Sequence, residues 1–278
     1  MLHYNVAVIS DKGRQREMNE DRAFAQVYNT SDGQTVGLFI VADGIGGQLA
    51  GEVASHWAVE TIRRELADYF TPRDPQATER LSHWEIEAAS IETSPTHHLM
   101  ESLVDQRVQR AVQRANAVVN EYAFRKPETA STAGTTVTLA LAVGDKATVA
   151  NVGDSRTYLL RNHELVQISH DHSVVANLVA SGRIRPEDIY THPHRNLILR
   201  SLGQRAAVDV DLFRQELQSG DYLLLCSDGL WEMIPDEKLM ASLVESSPEP
   251  YLACKKLVAA ANAAGGEDNI SVILVKVT

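Results

Sequence analysis

The chain is poor in the residues that would cross-link it, anchor it in a membrane or draw it to polyanions. It has two cysteines, Cys226 and Cys254, too few for a disulfide framework or an unaided thiolate zinc site. That scarcity fits a reducing, cytoplasmic compartment. The longest apolar runs, such as 36–42 and 270–275, are strand-sized, so no membrane span is expected. The first nine residues show no basic region leading into a long apolar core, so no signal peptide is expected. Positive charge is also short: 26 Lys and Arg against 37 Asp and Glu leave a net −11, with no basic run to offset it locally. A surface of that sign repels nucleic acid and anionic lipid. No repeat or low-complexity tract is visible. At 44% hydrophobic and 23% charged, the composition is that of an ordinary globular chain and excludes global disorder.

The hydrophobic pattern predicts strands over 5–10, 22–28, 36–42, 135–143, 146–152, 156–161, 208–214, 221–226 and 269–277. The run at 36–42 is unbroken, as in a strand buried on both faces. Helices are predicted over 49–70, 103–124, 173–180, 235–246 and 249–263. In the first, Val53, Trp57, Ile62 and Leu66 share a face; in the second, Val104, Val108, Ala111, Ala115 and Val118 do. Gly182 is placed to cap the third. Between the two long helices lies an acidic, proline-marked segment, 71–101. Leu81, Trp84, Ala88 and Ile91 recur there at helical spacing, so an inserted helix is expected, packed on the rim or serving as a docking surface for a protein partner. The strands fall into two groups, each with a pair of helices, without strict strand–helix alternation. This predicts an α+β fold: two antiparallel sheets packed face to face and flanked by helices (αββα), in one domain spanning 1–278.

The chemistry lies at strand ends. Asp43-Gly44 follows one apolar run and Asp228-Gly229 another; Asp268 precedes the last strand, Asp21 the second, and Asp154 sits between two. Each alone reads as an ordinary turn residue. Together they suit a hard cation, which needs several oxygen ligands from different elements, and their number suits two ions better than one. Glycine beside a carboxylate also lets a backbone carbonyl approach an ion.

Eight segments in order carry a resemblance: Arg16-Glu-Met-Asn-Glu-Asp21, Val41-Ala-Asp-Gly-Ile-Gly-Gly47, Gly134-Thr-Thr136, Gly153-Asp-Ser-Arg156, Asp171-His-Ser173, His192-Pro-His-Arg-Asn196, Cys226-Ser-Asp-Gly229 and Glu267-Asp-Asn269. Each is weak alone; the ordered set, from about residue 5 to 277, resembles the PPM-type (type 2C) metal-dependent Ser/Thr protein phosphatases, the bacterial branch above all. The resemblance implies a cleft holding two Mn2+ or Mg2+ ions. Asp43 would bridge both, with the Gly44 carbonyl on one. Asp228 and Asp268 would hold the first ion and Asp21 the second, with Glu20 and Asn269 in the outer shell. Arg16 would bind the substrate phosphate. Asp154 and Glu232 match a third, weaker position, where many relatives have Asp in place of Glu232. The resemblance also implies a flap over about 172–203, phosphoprotein substrates and an opposing Ser/Thr kinase. No feature calls for oligomerisation, and a monomer is expected.

The mechanism expected is direct hydrolysis by a water activated between two ions, with no phosphoenzyme, since neither cysteine lies in a phosphate-cradling Cys-x5-Arg loop. Arg16 would add a bidentate clamp on the phosphate. Ile45 stands where some relatives outside the bacterial branch carry a histidine acid. The leaving alkoxide's proton would then come from water or from another histidine; His192 and His194 are candidates, although both suit the flap better. His172 reads as a structural hydrogen-bonding residue beside Asp171, Arg156 as the partner of a nearby acid, Thr135 and Thr136 as small strand residues, and Cys226 as apolar filler. Two alternatives stand beside the protein phosphatase: a catalytically silent binding module on the same fold, and a metallohydrolase of small phosphoesters. The presence of Asp21, Asp43, Asp228 and Asp268 counts against the first.

Overall fold

The computed structural model describes residues 1–31, 33–46, 50–71, 96–130 and 132–278. Every residue of β3 (Thr35–Ala42) is buried, and successive side chains point opposite ways. Leu38, Ile40 and Ala42 enter one core while Phe39 and Val41 enter another. The last strand, β12 (Ile270–Val277), repeats the device: Ile270, Val272 and Leu274 on one side, Ile273, Val275 and Val277 on the other. Two strands buried on both faces require a layer above and below each sheet, and the molecule supplies them.

One sheet has the order β10 (Asp211–Glu216), β7 (Lys146–Val152), β6 (Val137–Val143), β3, β2 (Arg22–Asn29). The other runs β1 (Tyr4–Asp11), β12, β11 (Tyr222–Cys226), β8 (Arg156–Arg161), β9 (Glu164–Gln167). Neighbours in both are antiparallel. The sheets meet through Phe39, Val41, Leu223, Leu225, Ile273 and Val275. Helices α1 (Ala50–Glu65) and α2 (Thr96–Arg125) cover the first sheet. Helices α5 (Glu237–Glu245) and α6 (Pro250–Ala263) cover the second. Between lie α3 (Val174–Ala180), within the segment expected to form a flap, and the short α4 (Asp228–Trp231). A two-residue ribbon, β4 (Gly44–Ile45) with β5 (Gly134–Thr135), closes one end. The αββα expectation holds.

Two local expectations change. On α1 the buried face is Ala54, Ala58, Ile62 and Leu66, while Trp57 is 38% exposed. The helix turns its alanines inward because small side chains let it approach the sheet and α2 closely, and the bulky indole is left at the rim. Strand β9 was not expected at all. Asn162 and His163 both adopt positive φ, 52° and 67°, in a tight two-residue turn that folds 164–167 back onto β8. The predicted helix carrying Leu81, Trp84, Ala88 and Ile91 lies outside the described residues. Among the described residues, no helix is long and apolar enough to cross a membrane.

Candidate active site

The strand registers bring the five aspartates to one end of both sheets. Arg22 pairs with Ala42, so Asp21 and Asp43 leave the β2–β3 ladder side by side. Cys226 pairs with both Val272 and Arg156. Asp228, two residues beyond β11, is therefore flanked by Asp154, two before β8, and by Asp268, two before β12. Gly44 follows Asp43 where a Cβ would run into the carbonyls of Gly51 and Glu20, so only glycine keeps β4 this close to α1.

Hydrogen bonds fix the backbone and leave carboxylate oxygens free. The Asp43 N–H donates to Thr136 Oγ1 at 3.0 Å, the Thr135 hydroxyl donates to the Asp43 carbonyl at 2.8 Å, and the Thr136 N–H donates to that same carbonyl at 2.9 Å. Thr136 Oγ1 also lies 2.7 Å from Ser155 Oγ. The two threonines, read from sequence as small packing residues, are thus the clamp on Asp43. Ser227 Oγ donates to Asp21 Oδ2 at 2.7 Å and accepts from the Ser271 N–H at 2.9 Å. Trp231 Nε1 donates to the Asp154 carbonyl at 3.0 Å. Asn269 joins the outer parts: its Oδ1 accepts from the Glu20 N–H at 2.8 Å, and its Nδ2 donates to the carbonyls of Lys12 and Met18. It thereby ties the Arg16 loop to Asp268. Arg16, half-exposed, reaches Asp268 Oδ2 at 2.6 Å.

The electrostatics confirm convergence. Burial, then the charge of Asp228, holds Asp43 well above the ordinary carboxylate range, and Asp21, Asp154 and Asp268 add to the effect. Burial pushes Asp21 up to about 7, against hydrogen bonds from Ser227 and Ser271. Burial and then Asp268 push Asp228 up to about 6; burial and then Asp228 push Glu232 up to about 7. Asp154 is held well above its ordinary value by burial and then Asp228. Asp21 Oδ1, Asp154 Oδ1 and Asp228 Oδ1 are buried with no hydrogen-bond partner among the described residues. Buried carboxylates pushed together with unsatisfied oxygens call for cations. An all-oxygen donor set selects Mg2+ or Mn2+ over softer metals. No three His, Cys, Asp or Glu side chains among the described residues close into a shell by themselves.

The other singled-out residues sort cleanly. Arg156 forms a bidentate pair with Asp171, 2.7 Å at its shortest, and its guanidinium carbon stacks 3.6 Å from the centre of the Trp231 ring. It is a structural partner, as expected. His172 bonds elsewhere than to Asp171: Nδ1 accepts from the Gly153 N–H at 3.1 Å, while Nε2 lies 3.2 Å from Asp211 Oδ2 and 3.0 Å from Arg200 Nη1. His192 and His194, in the segment expected to form a flap, have ring centres 5.5 Å apart. Cys226 is fully buried among apolar groups. Glu232 meets Arg195 of the flap segment, which lies 3.7 Å from it and 3.2 Å from Glu267.

Replacing Thr136 by valine tests the clamp. The buried N–H of Asp43 and the Ser155 hydroxyl would each lose a partner at nearly constant volume, at a cost of about 1–3 kcal/mol. A lower urea midpoint with reduced turnover is expected; an unchanged midpoint would show the hydroxyl to be idle.

A family profile described as protein phosphatase 2C matches residues 13–259. The chain belongs to the protein phosphatase 2C family. Over 267 residues it is 37% identical to the serine/threonine phosphatase stp of Listeria monocytogenes, covering 96% of this chain and 93% of that one. The crystal structure of the Mycobacterium tuberculosis serine/threonine phosphatase PstP/Ppp is similar at a TM-score of 0.77 and 32% identity, covering 99% of this chain and 98% of that one. The catalytic domain of the phosphatase PstP in complex with two manganese ions is similar at a TM-score of 0.76 and 30% identity, with both chains fully covered. The eight ordered segments read from sequence are thus those of a PPM-type serine/threonine protein phosphatase. The 2C-type sandwich here has the family's two sheets, with the carboxylates at one end.

Proposed function

We propose that this phosphatase hydrolyses phosphoserine and phosphothreonine in proteins by direct displacement, using two divalent cations held at the carboxylate end of the sandwich. One observation supports the assignment of residues: aspartates from five separate strand ends feel one another's charge, and three of them have buried oxygens with no donor among the described residues. Asp43 feels the charges of the other four and would be shared by both ions, with the Gly44 carbonyl on one. Asp228 and Asp268 would hold the first ion and Asp21 the second, with Glu20 and Asn269 behind them. When bound, the pair supplies Lewis acidity toward the phosphate oxygens and the attacking water. The rest falls to the chain. Ser227 keeps Asp21 turned into the cleft, and the two threonines hold Asp43 still. Arg16, with one edge on Asp268, has donors left to orient a phosphate dianion. No carboxylate or cysteine takes up the phosphoryl group.

We assign Asp154 and Glu232 to a third cation position, with Arg195 as the neighbouring positive charge. The proton for the leaving alkoxide is assigned to solvent, because Ile45 offers none and His192 and His194 stand in the flap segment. The chain would act as a single domain and a monomer in the cytoplasm, with 172–203 as a flap and with Mn2+ or Mg2+, opposing a Ser/Thr kinase. Purified protein with Mn2+ should release phosphate from a phosphothreonine peptide, and chelator should stop it. Turnover of a small ester but of no phosphopeptide would point to a small-molecule hydrolase; none with any metal would leave a binding module.

A further inference from the structure

Between α3 and the segment after Leu199 lies a cavity of 260 Å³, lined by Asn177, Arg200, Ser201, Gln204, Arg205 and Asp209. Its lining offers several donors that are little used. Arg200 Nη1 donates to Asp211 Oδ1 at 2.7 Å and to the Asp209 carbonyl at 3.3 Å, and lies 3.0 Å from Nε2 of His172, which also lines the cavity. One edge of the guanidinium is thus anchored, and Nε and Nη2 have no partner among the described residues. The side chains of Arg205, Gln204 and Asn177 likewise have none. Ser201 is 5% exposed and its hydroxyl is buried without a partner among the described residues. The loop is rigidly placed. Asn116 of α2 donates to the carbonyls of Arg205 and Ala206 and accepts from the Gly203 N–H at 2.9 Å, while Asn120 donates to the Gly203 carbonyl at 2.7 Å.

The cavity adjoins the catalytic end. Leu202, beside Ser201, exchanges both backbone hydrogen bonds with Thr135, at 3.1 and 2.8 Å, and Thr135 clamps Asp43. The charge pattern agrees. In this strongly acidic chain, 172–205 carries Arg183, Arg185, Arg195, Arg200 and Arg205 against only Glu187 and Asp188, with no lysine. Among the lining residues are two guanidiniums and the carboxylate of solvent-exposed Asp209; Arg200 is already paired with Asp211, so Arg205 carries the positive charge left without an ion-pair partner among the described residues.

We propose that this cavity is an oxyanion subsite that takes an acidic side chain of the protein substrate, a carboxylate or a second phosphoryl group, while the scissile phosphate occupies the aspartate cleft. The proposal rests on the phosphoprotein reading above and adds a substrate class to it: phosphoproteins acidic around the target residue. Planar guanidinium forks suit carboxylate and phosphoryl oxygens, and the fixed loop backbone and the anchored edge of Arg200 limit the entropy lost on binding them.

Two phosphothreonine peptides, identical except that one carries Glu or phosphoserine flanks where the other has Ala, form the test. Turnover of the neutral peptide tests the phosphatase reading by itself; only the ratio of the two kcat/KM values tests the cavity. The wild type should favour the acidic peptide by about tenfold, through KM, as expected for one charge-assisted hydrogen-bonded pair. Arg205→Gln should bring the ratio near one, and Arg205→Glu below it. Because the neutral peptide is an internal reference, a variant slower on everything still reports. Excess sulfate should erase the ratio while chloride at equal ionic strength leaves it. A wild-type ratio near one, a ratio kept in both Arg205 variants, or equal effects of sulfate and chloride would each overturn the assignment. In the first case, sulfate bound in the cavity of a soaked crystal would identify free anion as the occupant.

Discussion

Replacing Asp43 by alanine should lower kcat on a phosphothreonine peptide by about a thousandfold or more, equivalent to about 4 kcal/mol of lost transition-state stabilisation. The reason is position. Asp43 feels the charges of Asp21, Asp154, Asp228 and Asp268, so its removal undoes both ion positions together. The same substitution should leave the fold intact. The backbone of residue 43 is held by Thr135 and Thr136 through bonds that do not involve its carboxylate. In chelator the variant should melt above the wild type, since one member of a crowded anionic cluster is gone. Steady-state kinetics with saturating Mn2+ and a circular-dichroism melt check both halves. A variant that keeps most of its turnover would remove Asp43 from the centre of the site.

Chelation should destabilise the protein more at pH 8 than at pH 5. Burial and neighbouring charges hold Asp21 at about 7 and Asp228 at about 6. In the unfolded chain both return to about 4. Between these limits the folded state binds more protons than the unfolded one, so stability falls as pH rises. The contribution is fully present below about pH 4 and is lost as pH passes the raised folded values. In chelator, Tm should drop by about 5–10 °C from pH 5 to pH 8, corresponding to about 2–4 kcal/mol. Mn2+ at about a hundred times its Kd should restore about 2.7 kcal/mol at the higher pH. The gap between metal-loaded and chelated protein therefore widens with pH. A flat or rising Tm in chelator across this range would mean that the aspartates do not share one buried space. Metal and pH act here on one quantity, the repulsion among strand-end carboxylates.

Much of this was legible in the chain because its layers obey a period of two. The unbroken apolar run of β3 announced a strand covered on both sides, and two such groups of strands with helices between them left few arrangements. The site was legible for a different reason. Aspartates at the ends of apolar runs, three of them beside glycine, mark places where the backbone leaves the core, and the eight ordered segments among which they fall are specific. The parts that could not be read depend on neighbours distant in sequence. Trp57 shares a helical face with Ile62 on paper, yet the contact with α2 selects the alanine face instead. Strand β9 has no strong apolar pattern; it exists because two residues of positive φ return it to β8. Thr135 and Thr136 look like filler until the ribbon sets their hydroxyls against the peptide of Asp43.

Sequence alone determined the sandwich and most of its elements, β9 excepted, since these follow from local hydrophobic periodicity, and motif order singled out the acidic candidates. Tertiary structure decided which acid stands next to which, what holds each one still, and that a set of arginine and amide donors gathers behind Thr135. Strand register across two sheets controls those distances, and register arises from pairing between segments well separated along the chain, as Cys226 pairs with both Val272 and Arg156, which no local pattern encodes.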